Sequence, residues 1–395
     1  MKYFLASFIK TKIIRAYVLF IRLTTKVVKN RVVLYQPFKF GYDCNQKYIA
    51  EEILRQNLPY ELIWITRATR IKDGTYPDKI TVVAENDRYK ALYYILTSKF
   101  CITNVFFPFR LYSSKRRGQV FIDTWHGSLG IKRIGLEKEY SSRSDTEKLV
   151  KNINSANYFI SNSEFETGVY RNSLLFKKKI LEIGHPRNDI LIDGVLSQVE
   201  KDNINQNVRK FSNYNIPENA KLVLYAPTFR NGSNVDCYDM DYTLLLQSLK
   251  EKFASDFVLL LRLHPRIKHK FKDYVVEHDG LYDYTEYADI QELMVAADVM
   301  ITDYSSCIFD FVLTRKAGFI YASDIADYKQ DRGFYYPLDT TPFPIIKNNE
   351  ELREKILSFD YQGYKNKVEE FLEEKGCVED GNASKKLVEL IKNTN

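Results

Sequence analysis

Two of the five histidines in this chain follow apolar runs directly, in Asp123-Thr-Trp-His126-Gly-Ser-Leu-Gly130 and Leu261-Arg-Leu-His264-Pro-Arg266. A histidine at the end of a buried strand, with Gly or Pro next, points out of the sheet toward a cleft. Imidazole titrates near neutrality, so it can take a proton from an attacking hydroxyl or donate one to a phosphate oxygen. One such residue would read as a strand cap; two at equivalent strand ends favour chemistry, with His126 and His264 as the catalytic pair. A third feature is Ile301-Thr-Asp303-Tyr-Ser305-Ser306-Cys-Ile-Phe-Asp310. Hydroxyls and open amides where a strand gives way to a helix suit a pyrophosphate. Asp310, four residues past Ser306 on the same face, suits ribose hydroxyls; a plain Ser cap would not explain an acid inside an apolar helix. Arg187 in Gly184-His-Pro186-Arg187-Asn188-Asp189, Arg230 in Tyr225-Ala-Pro227-Thr228-Phe-Arg230, and Arg262 all lie just past strands. They are the guanidiniums expected to neutralise a diphosphate.

Several lookalikes are set aside. Asp239-Met-Asp241 is a DxD triplet placed between a turn and a helix start, where solvation is expected. No GxxxxGK[ST], GxGxxG or HExxH occurs, so P-loop, Rossmann-fingerprint and zincin chemistry have no support. His185 reads as packing beside Pro186, His269 and His278 as surface residues, and Cys307 as core.

The elements that must position these residues alternate. Arg31–Gln36, Leu62–Thr66, Ile80–Ala84, Phe100–Asn104, Val120–Thr124, Tyr158–Asn162 and Ile180–Gly184 read as strands, with helices at Gln46–Arg55, Asp87–Ser98 and Ser163–Leu175. After a polar stretch, Leu196–Glu218, read as the connection between lobes, the alternation restarts. Strands at Lys221–Tyr225, Phe257–Leu263, Val299–Thr302 and Gly318–Ala322 interleave with helices at Tyr242–Lys252, Ile290–Ala297, Ser306–Thr314 and Glu350–Phe359. Helices Lys365–Lys375 and Ala383–Asn393 close the structure. Such alternation implies α/β lobes with parallel sheets covered on both faces. Two doubly wound lobes, 31–205 and 206–395, would enclose a central cleft at the carboxyl ends of their strands.

A chain of 395 residues with 45% hydrophobic and 28% charged residues is globular and large enough for two domains. Five scattered cysteines without a CxxC pair argue against a disulfide framework or zinc knuckle and for a reducing compartment. The net charge of +7 is not spread evenly. Nine of the 58 Lys and Arg lie in residues 1–42, which hold no acid, leaving 49 bases against 51 acids elsewhere. That neutral body removes the case for nucleic acid. Within residues 1–30, Lys12, Arg15, Arg22, Lys26 and Lys29 fall in one sector about 100° wide on a helical wheel, with most apolar residues opposite. The segment is too interrupted for a ~20-residue membrane span or a signal peptide. It reads as a basic amphipathic helix on an anionic membrane surface, each base contributing roughly 1 kcal/mol. The plainer alternative is a helix that packs on the body.

Seven ordered motifs then resemble one family: Trp125–Gly127 (WHG), Ser161–Thr167 (SNSEFET), Gly184–Asp189 (GHPRND), Tyr225–Arg230 (YAPTFR), Leu261–Pro265 (LRLHP), Ala297–Phe311 (ADVMITDYSS with FDF) and Arg332–Leu338 (RGFYYPL). They resemble the CDP-glycerol glycerophosphotransferases, the primases and polymerases of teichoic acid and related capsule polymers. The resemblance implies a GT-B-like fold and a peripheral enzyme on the cytoplasmic face of the membrane. It implies a CDP-glycerol or CDP-ribitol donor, an undecaprenyl-type lipid-linked acceptor and release of CMP; no obligatory metal is expected, because no acidic pair has convincing geometry. By motif it makes His126 and His264 essential. It also places Gly127, Ser128, Arg187, Pro227, Thr228, Arg230, Arg262, Ser305, Ser306 and Asp310 around the CDP-alcohol. Where the family has HGTPLK this chain has His126-Gly-Ser-Leu-Gly-Ile-Lys132, and His185 replaces the tyrosine of GYPRND. The lack of a long extension after the last helices favours a primase-like or short-acting enzyme. The residues alone also fit a metal-independent GT-B glycosyltransferase using a nucleotide sugar, or a non-catalytic membrane-docked glycan binder.

Overall fold

The computed structural model describes residues 2–37, 41–71, 75–105, 115–138, 143–228, 238–263, 280–325 and 333–394. Seven parallel strands form the first sheet: β1 (Val28–Gln36), β2 (Glu61–Thr66), β3 (Ile80–Ala84), β4 (Ser98–Thr103), β5 (Val120–Asp123), β6 (Tyr158–Ser161) and β7 (Lys179–Glu182), in the order β3-β2-β1-β4-β5-β6-β7. The second sheet holds β8 (Lys221–Tyr225), β9 (Phe257–Leu261), β10 (Leu281–Asp283), β11 (Val299–Thr302), β12 (Ala317–Tyr321) and β13 (Ile345–Ile346), in the order β10-β9-β8-β11-β12-β13. Every pairing is parallel. Central strands such as Leu34, Ile63, Trp64, Val223, Leu260 and Ile301 are buried with essentially no exposure, as near-continuous apolar runs in doubly covered sheets require. In each sheet the strand order reverses once, between β1 and β4 and between β8 and β11, and such reversals open the crevice in which open α/β sheets bind ligands.

The polar stretch read as a connection contains helix α6 (Gln198–Arg209). Ser197 and Glu200 form a reciprocal capping box at its start, and Val208 is fully buried in the second lobe's core. Helix α4 (Arg143–Ile153) and the short strands β10 and β13 were not legible either; α4 is mostly polar, and two or three residues carry no period. The last helix, α12 (Ala383–Asn393), returns to the first lobe, where Leu387, Val388 and Ile391 pack with Val32, Leu34 and Ile49.

The basic N-terminal segment needs correction. Helix α1 (Lys2–Thr24) stops before Lys26, and Lys29 lies inside β1, so those two bases do not share its wheel. Among its described side chains, Ile14, Val18 and Ile21 are buried against the first lobe's sheet and helix α3 (Arg88–Thr97). Arg116 ties the helix end down by donating to the carbonyls of Arg22 and Thr25. Ile13, Leu19, Phe20 and Leu23 remain more than half exposed on the other side, beside exposed Lys12 and Arg15. The helix therefore packs on the body and still presents an apolar, basic face.

Candidate active site

The strand ends of both sheets face one another, and the loop after β5 crosses between them. Its backbone is strained: Trp125 has φ +52°, a left-handed conformation costly for a bulky side chain. The turn persists because it is held from several directions. Trp125 N donates to Asp123 Oδ1 at 2.9 Å, and Asn45 Nδ2 donates to the Thr124 and Trp125 carbonyls at 3.3 and 3.2 Å. Asn45 stands in the first turn of α2 (Cys44–Arg55).

His126 leaves this turn with its ring against Trp125, centroids 4.6 Å apart. Its Nδ1 lies 2.7 Å from the Asn104 carbonyl, just past β4. A carbonyl can only accept, so Nδ1 carries the proton and Nε2 presents the basic lone pair. Desolvation pushes the ring's pKa below its ordinary 6.5, to about 4, and the nearby charges of Arg187 and His185 push the same way while the Asn104 bond opposes. The residue is exposed in this turn, which limits that push. The imidazole is thus neutral at physiological pH, the state a general base needs.

The two residues after His126 are anchored as firmly. Arg187 Nη2 donates to the Gly127 carbonyl at 3.1 Å, and Asn162 Nδ2 donates to Ser128 Oγ at 2.6 Å. Ser128 is 1% exposed, so its hydroxyl serves the loop. Arg187 itself is buried and grips Asp310 of the other lobe, Nε to Oδ2 at 3.1 Å and Nη2 to Oδ1 at 3.2 Å. Burial alone would lower the guanidinium's pKa; the Asp310 carboxylate more than offsets that and raises it. Asp310 also accepts from Asn188 and Gln291. The carboxylate read as a ribose acceptor, and the guanidinium read as a diphosphate clamp, thus meet each other across the lobes.

The rest of the GHPRND motif has similar duties. His185 is buried with Nε2 2.9 Å from Glu166 Oε2. Burial lowers its pKa, but the Glu166 carboxylate overrides that and raises it. Asp189 accepts from the Ala383 and Ser384 amides, both at 2.8 Å, and so caps the last helix.

On the second lobe, Asp303 binds the two sides of the switch point together. It accepts from Thr228 N at 2.8 Å, from Thr228 Oγ1 at 2.5 Å and from Tyr304 N at 2.6 Å. Ser305 and Ser306 are half-buried before the short helix α9 (Cys307–Phe311). A Cβ placed on Gly130 would stand 3.4 Å from Ser306 Cβ, so the loop carrying His126 reaches this helix start. Farther on, the backbone bridge Lys132–Phe334 and the bond from Tyr336 OH to the Leu129 carbonyl hold the same loop to the second lobe. Arg262 is buried and donates to the Tyr287 and Ala288 carbonyls at 2.6 and 3.4 Å. His264 and Arg230, with His269 and His278, lie outside the described residues.

A second contact between the lobes lies one turn along α2. Lys47 Nζ sits 2.8 Å from Asp289 Oδ2 and 2.5 Å from Glu292 Oε1, and Tyr48 OH donates to Asp289 at 2.7 Å. Beside it a cavity of about 360 Å³, lined by Tyr42, Lys47, Arg70, Tyr287 and Asp289 among others, is wide enough for a nucleoside. Asp239 and Asp241 are both exposed; Asp241 caps α7 (Tyr242–Phe253) and Asp239 accepts from Tyr321 OH. Among the described residues no group of three His, Cys, Asp or Glu is placed to hold a metal ion, and no helix is long and apolar enough to cross a membrane. Sequence reasoning missed Asn45, Asn104, Asn162, Asn188 and Glu379. Asn104 and Asn162 stand just past strands and Asn188 lies in the GHPRND motif, while Asn45 and Glu379 left no trace.

Residues 17–393 match the family described as CDP-Glycerol:Poly(glycerophosphate) glycerophosphotransferase. The chain is 28% identical to the teichoic acid poly(glycerol phosphate) polymerase of Bacillus spizizenii, with 97% of each chain covered. It is 29% identical to the teichoic acid glycerol-phosphate primase of Bacillus subtilis, covering 89% of this chain and 90% of that one. It spans about half the length of the Bacillus subtilis and Staphylococcus epidermidis polymerases it also matches. Since one relative of matching length is named a polymerase and another a primase, length does not favour a primase. Among solved structures, the wall teichoic acid polymerase TagF superposes with a TM-score of 0.81 at 27% identity, covering 98% of this chain and 95% of that one. Forms of that protein with a single histidine replaced, one of them soaked with CDPG, superpose comparably. A putative UDP-N-acetylglucosamine 2-epimerase from Listeria monocytogenes, at 12% identity and a TM-score of 0.52, shares the fold alone.

Proposed function

This chain belongs to the CDP-glycerol:poly(glycerophosphate) glycerophosphotransferase family, and on that premise we propose that it moves glycerol phosphate, or a related polyol phosphate, from a CDP-alcohol to a hydroxyl of a lipid-linked acceptor, releasing CMP. The observation that carries the reading is the state of His126. It is a neutral imidazole at the mouth of the cleft, and its Nδ1–H donates to the Asn104 carbonyl, a tautomer that puts the basic lone pair on Nε2.

In this mechanism Nε2 of His126 takes the proton of the acceptor hydroxyl. That oxygen attacks the β-phosphorus of the CDP-alcohol in line, and the bond from phosphorus to the CMP oxygen breaks. Protein contributions to phosphoryl transfer are mainly positioning and charge stabilisation. His264, Arg230, Arg262, the hydroxyls of Ser305 and Ser306 and the Pro227–Thr228 turn meet the charge on the phosphates and departing CMP. Arg187 joins the lobes through Asp310 and donates to the Gly127 carbonyl; Ser128 holds the loop.

The exposed face of α1, with Ile13, Leu19, Phe20 and Leu23 beside Lys12, Arg15 and Arg22, rests on the anionic cytoplasmic leaflet near the lipid-linked acceptor. Removing residues 1–30 would also remove the buried Ile14, Val18 and Ile21 and the start of β1, so the membrane role is tested by point changes. The activity itself is tested by mass analysis of a lipid-linked acceptor after incubation with CDP-glycerol and, separately, with CDP-ribitol. Addition of polyol-phosphate units with matching release of CMP is expected; transfer of a sugar from a nucleotide sugar instead would replace this reading with a glycosyltransferase.

A further inference from the structure

The chain between helix α11 (Tyr361–Glu374) and α12 leaves the second lobe and straps onto the first. Cys377 bridges Ser163, Val378 N donates to the Asn162 carbonyl at 2.9 Å, and Glu164 N donates to the Gly376 carbonyl at 3.1 Å. The strap delivers one carboxylate, Glu379, into the polar interior behind the His126 loop. Its Oε1 accepts from Asn162 Nδ2 at 3.1 Å and from Asn188 Nδ2 at 2.8 Å, and both its oxygens lie 3.2 Å from His185 N. A Cβ added to Gly184, which has φ +88°, would stand 2.5 Å from Glu379 Oε2. The chain is bare there, and the carboxylate fills the space.

Each asparagine that bonds Glu379 spends its other amide hydrogen toward the His126 loop. Asn162 donates to Ser128 Oγ at 2.6 Å. Asn188 donates to Asp310 Oδ1 at 3.1 Å, and Asp310 holds Arg187, whose Nη2 reaches the Gly127 carbonyl at 3.1 Å. Asn162 and Asn188 are both fully buried. Two separate arms that fix Gly127 and Ser128 therefore end on one carboxylate.

We propose that Glu379 is a positioning residue for the transfer reaction, fixing through Asn162 and Asn188 the backbone that aims His126 at the acceptor hydroxyl. The proposal rests on the reading of His126 as the base. Turning either asparagine frees a loop whose Trp125 is already strained, and misplacement of about 1 Å is enough to cost up to two orders of magnitude in rate. Gln at 379 keeps an amide oxygen for both asparagines, whereas Ala keeps none.

The test is a double-mutant cycle on the full-length chain, measuring kcat and donor KM with CDP-glycerol and a lipid-linked acceptor. Glu379→Ala is expected to lower kcat about tenfold with KM little changed, and Glu379→Gln to restore most of it. In a His126→Ala background the Glu379→Ala change should cost nothing further, because its effect passes through the histidine. Ser128→Ala, a small change at the far end of one arm, should lower kcat about threefold without shifting KM or the melting transition; it decides the matter if Glu379→Ala melts early. An unchanged kcat in both Glu379→Ala and Ser128→Ala, a loss confined to KM, or a Glu379→Ala penalty that multiplies with that of His126→Ala would overturn the proposal. Full turnover in His126→Ala would instead sink the base assignment beneath it.

Discussion

Two of the contacts that pin the lobes together, Arg187–Asp310 and Lys47 with Asp289 and Glu292, look alike and differ in what hangs from them. Both are buried cation–carboxylate contacts reached from the first lobe. The Arg187 pin also holds the Gly127 carbonyl, one residue from His126, while the Lys47 pin reaches the Asp289 and Glu292 carboxylates and the Tyr48 ring, beside the open cavity. The first therefore joins assembly to the chemistry, and the second joins the lobes and shapes the room next to them. A buried ion pair is weak evidence for stability but costly to break on one side, so the contrast can be tested by breaking each.

The largest effect should come from the group that the first pin serves. His126→Ala should reduce turnover by a factor of about 100 or more while donor binding, measured by calorimetry, is largely kept. Next, Asp310→Ala leaves the Arg187 guanidinium buried without its carboxylate. It should cost about 3–5 kcal/mol in denaturant unfolding and about tenfold in kcat, since the Gly127 anchor moves. Lys47→Met should be milder, because Asp289 keeps Tyr48 and Glu292 keeps Tyr287. A stability loss of about 1–3 kcal/mol, with a raised donor KM and kcat within about threefold at saturation, is expected. Equal kcat losses in the two variants would erase the distinction between the pins.

The contrast also shows what the sequence could reveal. Apolar runs bounded by turns gave most of the strands and the two-lobe α/β plan, since a doubly covered parallel sheet leaves its strands no polar face. Residue type marked Arg187 and Asp310 as special, but type cannot say whether an arginine past a strand faces a phosphate or a carboxylate 123 positions away. That pairing is purely tertiary. The same holds for Asn162 and Asn188, ordinary residues made important by what lies behind them, and for α1, whose wheel shows amphipathicity but not that one apolar stripe belongs to the core. His126 drew notice because a histidine and a glycine follow a strand, but the left-handed turn at Trp125 that directs it was not legible.

Smaller effects sharpen the picture of the first lobe's site. The folded chain pushes the pKa of His126 below its ordinary 6.5. Below pH 6.5 the unfolded chain takes up a proton more readily than the folded chain, so this contribution is complete above pH 6.5 and is lost progressively as pH falls below it. Wild type should therefore lose stability relative to His126→Ala between pH 7.5 and pH 5 in chemical denaturation, whereas a gap that stays constant would mean an ordinary imidazole. Smallest of all, Lys12→Gln or Arg15→Gln should weaken binding to anionic vesicles about fivefold each, at roughly 1 kcal/mol per base. Turnover of a water-soluble acceptor should not change.

The most direct measurement follows both products of a single incubation with CDP-glycerol and a lipid-linked acceptor, in wild type and in His126→Ala. Wild type should add glycerol phosphate units to the acceptor and release one CMP for each, and the variant should do neither at a comparable rate. An acceptor left unmodified by wild type, or extended just as fast without the imidazole, would contradict the account.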